Sequence, residues 1–231
     1  MAVERYHHGN LRSALLDAAL DMSRVTGADA LSLRAVTREV GVSTRAAYRH
    51  FANRQDLIRA VAIMGLSRMA LMIEAELVKA DSPVQRLCAV GRGYIGFALT
   101  EPGWFDVAML TPRGFELFAE KGAEGASGLT PHGLLMSALE GLVDEGTLDP
   151  RDVERTATLC WSGVHGYSSL VSRGPLSTLP DEAARVVGGT LAADLVHSIV
   201  LGGVAGARGD LGVTDERLTG PLGQGRASRD R

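Results

Sequence analysis

The chain has 231 residues, of which 45% are hydrophobic, and its formal net charge is −3. This length and hydrophobic content allow one large core or two modest ones, which excludes a wholly disordered protein. The charge is uneven, because residues 1–60 carry nine Lys and Arg against six Asp and Glu, whereas residues 61–231 carry fifteen against twenty-one. A basic end on an acidic chain is typical of a protein that turns that end toward phosphate, although a solvated charge bias without function has the same appearance.

The first two helices are predicted from apolar spacing and from residues that begin or end helices. Apolar side chains recur on one face from Leu11 to Met22, and Gly27 follows shortly after. Ser32 can cap a second helix, and Gly41 supplies the left-handed residue that ends it. The two together predict the supporting helices of a small three-helix unit.

A third, unusually polar helix is predicted after this turn, with Ser43 as its cap. Ala47 and Phe51 lie four residues apart, so they share one face and are expected to be buried. The remaining face then presents hydrogen-bond donors and an aromatic ring from Thr44, Arg45, Tyr48 and Arg49. Such a face is typical of the recognition helix of a DNA-binding helix-turn-helix.

The rest of the chain also has helical spacing, with no long stretch of alternating apolar and polar residues. Asn53 caps a helix expected to run to about Lys79, and Ala207 opens a Gly-, Arg- and Asp-rich tail predicted to be disordered. The fold class predicted is therefore all-α. Further helices are expected at about 84–100, 134–145, 152–172 and 181–203, with a short apolar run at 104–110 and a mobile loop at 121–131.

Residues 41–61 read GVSTRAAYRHFANRQDLIRAV and resemble the helix-turn-helix of the tetracycline-repressor (TetR) family of bacterial transcription regulators. Residues 161–166, WSGVHG, resemble the Trp-His-Gly signature of one C-terminal subgroup of that family, and residues 6–12, YHHGNLR, resemble the opening that often accompanies it. The resemblance implies an all-α protein with a helix-turn-helix head and a helical body that binds a ligand and forms a dimer. The expected boundaries are 1–56 for the head, 57–206 for the body and 207–231 for the tail.

The resemblance also assigns DNA contacts to positions of this chain. Arg45 stands where a small residue is frequent and Ala46 replaces a common hydroxyl residue, so the target sequence does not carry over. Arg45 could bond guanine bidentately or clamp a phosphate, and both roles stay open. The expected DNA-binding residues are Arg34, Ser43, Thr44, Arg45, Tyr48, Arg49, His50 and Arg54.

Within the body, the aromatic and methionine residues are candidates for an effector pocket, although several could simply be core. His165 could orient a ligand or form a hydrogen bond across the core. The expected effector is a small, largely apolar molecule. The candidate residues are Tyr94, Phe97, Trp104, Phe105, Met109, Phe115, Phe118, Trp161, His165 and Tyr167.

The last two helices are candidates for a homodimer interface, because small residues let helices approach closely and aliphatic ridges pack between them. The alternative is that the same residues form internal core contacts. The residues expected at the interface are Gly163, Gly189, Leu191, Leu195 and Ile199.

An enzyme is the rival class, but the phosphate-binding, dinucleotide-binding, zinc-protease and nucleophile-elbow motifs do not occur in the sequence. Ser162, His165 and Asp194 could form a triad only on paper, because helices offer no evident oxyanion hole. Cys88 and Cys160 have no metal-site spacing and are expected to be core thiols. No cofactor and no metal are expected.

The expected function is that of a ligand-responsive repressor that binds double-stranded operator DNA as a homodimer and is released by an unidentified effector. A constitutive regulator without a ligand is the alternative. A cytoplasmic protein without membrane association is expected, because the opening residues carry charge and the apolar segment 191–206 is short and interrupted by Asp194 and His197.

Overall fold

The computed structural model describes residues 11–109, 117 and 120–206. Within these ranges every regular element is a helix, which confirms the all-α prediction. Two short 3-10 turns lie at Gly27–Ala30 and Pro150–Asp152. The α-helices are α1 (Leu11–Thr26), α2 (Leu33–Val40), α3 (Thr44–Ala47), α4 (Arg54–Leu77), α5 (Pro83–Thr100), α6 (Pro102–Met109), α7 (Pro131–Asp144), α8 (Val153–Ser172) and α9 (Asp181–Gly206).

The helix ends of the head follow the predicted caps. The side-chain oxygens of Ser32, Ser43 and Asn53 each accept the backbone N–H three residues later, at 3.1, 3.3 and 3.0 Å. Gly41 ends α2 with a φ of 75°, a conformation that glycine adopts without steric cost. The local sequence therefore determines where these helices begin and end.

Helix α3 is shorter than the sequence suggests. Only Thr44–Ala47 forms an α-helical turn, and the chain continues through a tight turn in which the His50 N–H bonds the Ala47 carbonyl at 2.9 Å. Ala47 and Phe51 are buried as predicted, at 0% and 2% exposure. The predicted recognition helix is thus one helical turn plus a second, irregular turn held against the core by Phe51.

Helix α4 joins the head to the body without a break. Leu57 and Val61 at its start belong to the core of the head, whereas Met69 and Ile73 pack in the core of the body. The predicted end near Lys79 lies two residues beyond the observed end. The expected boundary between residues 56 and 57 falls just inside α4, where the helix is continuous. The division into a head and a body therefore stays a proposal.

In the body, α5 lies between α4, α7, α8 and α9. Gly93 permits the closest of these approaches, because a Cβ there would lie 2.5 Å from the Cα of Ile73 on α4. On the other side a Cβ at Gly91 would lie 2.9 Å from the Cβ of Ala192 on α9. Cys88 is half-buried, Cys160 is buried, and both are free thiols, as expected of core cysteines.

Helix α9 packs against α5 and α8 through Ala184, Ala192, Val196 and Ile199, which are all buried. Its first twenty residues are long and apolar enough to cross a membrane by length and composition alone. Core helices meet the same criterion, and the packing of α9 makes it part of the body.

The segment predicted as a mobile loop, 121–131, is instead held against α4 by hydrogen bonds. The Glu74 carboxylate accepts the N–H groups of Ala126 and Ser127, both at 2.9 Å, and the Ser127 hydroxyl at 2.6 Å. Burial alone would raise the pKa of Glu74, but these donors hold it below its ordinary value. The predictions for Phe115, Phe118, residues 6–10 and the tail 207–231 fall outside the described residues.

Candidate functional site

The exposed face around α3 carries most of the predicted DNA-binding side chains. Tyr48 is 56% exposed although it is aromatic. An aromatic ring exposed among hydrogen-bond donors is suited to contact the phosphate backbone and the base edges of DNA. The exposed residues of this face are Arg34, Arg45, Tyr48, Arg49 and His50.

Ser43 and Thr44 begin α3 but are partly used inside the head. The Ser43 hydroxyl is the N-cap of α3, and the Thr44 hydroxyl lies 3.4 Å from that of Thr37 on α2. Thr37 is buried, so this contact fixes how α3 leaves the turn. Both residues therefore position the recognition helix in addition to any contact with DNA.

Arg54 has a structural role that the sequence did not reveal. Its Nε and Nη2 atoms donate to the carbonyl oxygens of Leu31 and Ala28, each at 2.6 Å. These bonds join the start of α4 to the end of the 3-10 turn before α2. The side chain remains exposed, but its strongest contacts hold the head together, which limits its use as a phosphate clamp.

The junction between head and body is formed by the first turn of α6 against α1. A Cβ at Gly103 would overlap the backbone carbonyls of Ser23 and Arg24, so this close approach requires glycine. The Arg24 guanidinium bonds both carboxylate oxygens of the buried Glu101, at 2.6 and 2.8 Å. Trp104 completes the contact, because its Nε1 donates to the Leu20 carbonyl at 2.9 Å.

This contact corrects the prediction for Trp104. The side chain was expected in the effector pocket, but it points at α1, and the Arg24 guanidinium lies 5.7 Å from its ring centroid. An α6 of two helical turns places Trp104 and Phe105 in different directions, which their adjacency in sequence conceals.

Four rings from three helices meet in the body. The Tyr94 hydroxyl lies 2.9 Å from His165 Nδ1, and the Phe105 and Trp161 ring centroids lie 5.7 and 5.8 Å from that of His165. The Tyr94 hydroxyl also lies 3.3 Å from the sulfur of Met109. We call Tyr94, Phe105, Met109, Trp161 and His165 the aromatic cluster.

The other candidates lie elsewhere. Phe97 is fully buried in the body core, where its carbonyl accepts the N–H of Glu101. The Tyr167 hydroxyl donates to the Ala184 carbonyl at 2.6 Å and ties α8 to α9. Five of the ten candidates are therefore brought together, Phe97, Trp104 and Tyr167 lie elsewhere, and Phe115 and Phe118 fall outside the described residues.

Burial sets the charge of the aromatic cluster. It lowers the pKa of His165, so the imidazole is neutral at pH 7, and it raises the pKa of Tyr94, so the phenol keeps its proton. The bond from His165 Nδ1 goes to Tyr94 rather than to a carboxylate, whereas a Ser-His-Asp triad needs the acid at that nitrogen. His165 therefore makes no triad contact through this nitrogen within the described part of the chain.

Most residues predicted for the dimer interface face the chain's own core. Ile199 is 2% exposed, and a Cβ at Gly163 would lie 2.5 Å from a methyl carbon of Leu195. Leu191 and Leu195 pack against the same core, so the ridges assigned to a partner subunit are largely internal contacts between α8 and α9. Gly189 differs, because a Cβ there would meet nothing within 4 Å.

A different set of residues on these two helices has no covering element in the described chain. Leu159 and Leu170 are 43% and 42% exposed, Val186 is 64% exposed, and a Cβ at Gly166 would meet nothing within 4 Å. In the sequence, apolar and small residues spaced three and four positions apart indicate that α8 and α9 have apolar faces. This spacing does not reveal which of the two apolar faces of each helix is covered. We call this surface the outer stripe, formed by Leu159, Gly166 and Leu170 on α8 and Val186, Thr190, Ala193 and His197 on α9.

Comparison with known proteins gives matches to both parts of the chain. Residues 15–61 match the model of bacterial regulatory proteins of the tetR family, and residues 87–193 match a tetracyclin repressor-like C-terminal domain. These matches do not confirm the Trp-His-Gly subgroup, which stays a prediction.

One curated relative is the uncharacterized HTH-type transcriptional regulator YobS of Bacillus subtilis (strain 168), 24% identical over 107 residues. The match covers 44% of this chain and 53% of YobS, so it spans about half the length of that relative.

Among solved structures, a protein of unknown function from Rhodococcus sp. RHA1 is 29% identical, with a TM-score of 0.62 over 84% of this chain and 100% of its own. The regulator RolR, solved in complex with resorcinol, shares the fold at 14% identity and a TM-score of 0.58, covering 80% of this chain and 92% of its own. The two family matches lie on one chain in the order head then body, and the chain belongs to the TetR family of DNA-binding transcription regulators.

Proposed function

We propose that this regulator binds operator DNA as a homodimer and represses transcription until a small, largely apolar molecule releases it. The observation that supports this most strongly is the position of α6. One residue of this helix, Phe105, lies in the aromatic cluster, and the preceding residue, Trp104, bonds to α1 of the head. A ligand that displaces Phe105 would therefore act on a helix already attached to the DNA-binding unit.

For the DNA contact, the proposal assigns base reading to Arg45 and phosphate contacts to Tyr48 and His50. Arg45 lies at the exposed start of α3, where residues of a recognition helix reach base edges. Replacing Arg45 by Ala should change the preferred sequence, with about 1–3 kcal/mol lost at one base pair. An equal loss on every sequence would instead assign Arg45 to a phosphate.

The effector is proposed to be a small aromatic molecule with at least one hydroxyl or carbonyl group. Aromatic walls favour a flat apolar body, and the neutral Tyr94–His165 pair supplies a donor and an acceptor for one polar group. RolR, which shares the fold, was solved with resorcinol, a molecule of this kind. The rings are packed together in this structure, so binding requires Phe105 or Trp161 to move.

The homodimer is proposed to form through the outer stripe. Two copies of α8 and α9 would make a four-helix interface in which the exposed Leu159, Leu170 and Val186 become buried. Such a dimer presents two recognition helices to half-sites about one turn of DNA apart, and we infer that it acts in the cytoplasm on the chromosome.

The test is a titration of candidate phenols with free protein and with protein bound to the DNA upstream of its own gene. Release of DNA by a factor of about 100 corresponds to a coupling of about 3 kcal/mol, and linkage requires operator DNA to weaken ligand binding by the same factor. Tyr94→Phe keeps the ring and removes the hydroxyl, so it should weaken the ligand and leave operator affinity unchanged. Specific DNA binding that no ligand alters would favour the constitutive regulator.

A further inference from the structure

A hollow lies on the surface of the body, away from the aromatic cluster. It is a groove of about 300 Å³ between α4, α5 and α9. This volume is at the lower end of the range for small-molecule sites, about 300–1,000 Å³. Besides three glycines, the groove is lined by Met72, Ala75, Glu76, Arg92, Ile95 and Arg185.

Two of the glycines keep the groove open. A Cβ at Gly189 would meet nothing within 4 Å, and one at Gly96 would lie 3.7 Å from Arg185 Nη1 and 3.8 Å from the Met72 methyl group. A larger residue at Gly96 would project between the arginine and the methionine. The space is therefore bounded by an apolar wall on one side and a guanidinium on the other.

Arg92 and Arg185, the two arginines that line the groove, each use only part of their N–H donors. Arg92 uses Nε to bond Glu76 at 3.1 Å, and Arg185 uses Nη2 to bond the Thr100 hydroxyl at 2.9 Å. No other hydrogen bond of these two guanidinium groups occurs within the described part of the chain, and each carries five N–H donors. The only carboxylate lining the groove, Glu76, is also bonded by Lys79 at 2.5 Å.

The local charge is consequently positive. Burial alone would raise the pKa of Glu76, but the hydrogen bonds of Lys79 and Arg92 hold it below its ordinary value. The one carboxylate of the groove is thus paired with two cations, and Arg185 adds a third positive charge to the lining. A planar guanidinium with free N–H groups matches a carboxylate, which can accept two bonds from it.

We propose that this groove binds a small organic anion, a carboxylate on a short aliphatic chain, with the carboxylate on Arg185 and Arg92 and the chain along Met72 and Ile95. The ligand would bridge α4, which continues into the head, and α9. This inference goes beyond the proposed function, which requires neither the groove nor an anionic ligand.

Isothermal titration of octanoate into the full chain without DNA tests it. Arg185→Gln should weaken binding at least about tenfold, because it removes a charge-assisted hydrogen bond. Gly189→Leu should abolish binding by filling the groove, and Glu76→Gln should tighten it about threefold or more by removing the competing carboxylate. Arg68→Gln, at an exposed arginine of α4 that does not line the groove, is the matched control and should leave binding unchanged.

The proposal is overturned if octanoate gives no saturable heat up to about 10 mM. It is also overturned if 1-octanol binds equally well, or if Arg185→Gln and Gly189→Leu bind as the unaltered chain does. Sedimentation of each variant keeps a change in oligomeric state separate from the loss of the groove. Because no DNA is present, failure here leaves operator binding and its release by phenols untouched.

Discussion

The head and the body are both built from amphipathic helices, but different kinds of contact determine them. In the head, the three capping residues each bond a group three positions away in sequence. In the body, the decisive contacts join distant residues, such as Tyr94 with His165 and Trp104 with Leu20. Local sequence therefore specifies the surface proposed to read DNA, whereas long-range packing specifies the proposed effector site and its link to the head.

The largest effect is expected where the two regions touch. Gly103→Ala would force a Cβ into the backbone carbonyls of Ser23 and Arg24, which cannot retreat without moving α1. We expect a loss of about 3 kcal/mol in the free energy of unfolding, measured with urea. Gly133→Ala, at a position of α7 where a Cβ would make only ordinary contacts of 3.4 Å or more, is the control and should not lower stability. Equal stability of the two variants would show that the junction is loose.

The next effect separates internal packing from the dimer surface. Val186→Asp places a charge on the exposed outer stripe, so the chain should stay folded but sediment as a monomer and bind operator more weakly. Leu195→Asp places the charge in the contact between α8 and α9 and should unfold the chain at lower urea concentration. If Val186→Asp remains dimeric, the outer stripe is not the interface.

A smaller effect is expected from the indole hydrogen bond at the junction. Trp104→Phe keeps most of the ring but removes the donor to the Leu20 carbonyl, which should cost about 1 kcal/mol of stability. It should also reduce the release of DNA by an effector, because α6 is then less firmly attached to α1. Full release together with lowered stability would place the coupling elsewhere, for example in α4.

The smallest effect concerns pH. The pKa of His165 is lowered in the folded chain by burial, so the unfolded chain binds more protons as the pH falls through about 6.5. The contribution of His165 to stability is therefore present above that pH and is lost below it. His165→Asn should flatten the curve of unfolding free energy against pH between about 5.5 and 7. An unchanged slope would show that the pKa of His165 is the same in the folded and the unfolded chain.

The contrast between the regions also explains what the sequence could predict. The all-α class, the caps and the burial of Ala47 and Phe51 follow from spacing and from the chemistry of single residues. The orientation of Trp104, the use of Arg54 inside the head and the inward face of Ile199 depend on partners far along the chain. Because both faces of α8 and α9 carry small and aliphatic residues, only the packed structure shows which face is covered.

The central claim, that the exposed face around α3 reads DNA, is tested most directly by the affinity of the full chain for the DNA upstream of its own gene, measured against salt concentration. We expect affinity to fall steeply with salt for specific and unrelated DNA alike. Arg45→Ala should reduce the preference for the upstream DNA by about 1–3 kcal/mol for each base pair that Arg45 reads, whereas Arg68→Ala, at an exposed arginine outside the head, should leave the preference unchanged. Retention of the full preference by Arg45→Ala, or binding that salt does not weaken, would contradict the account.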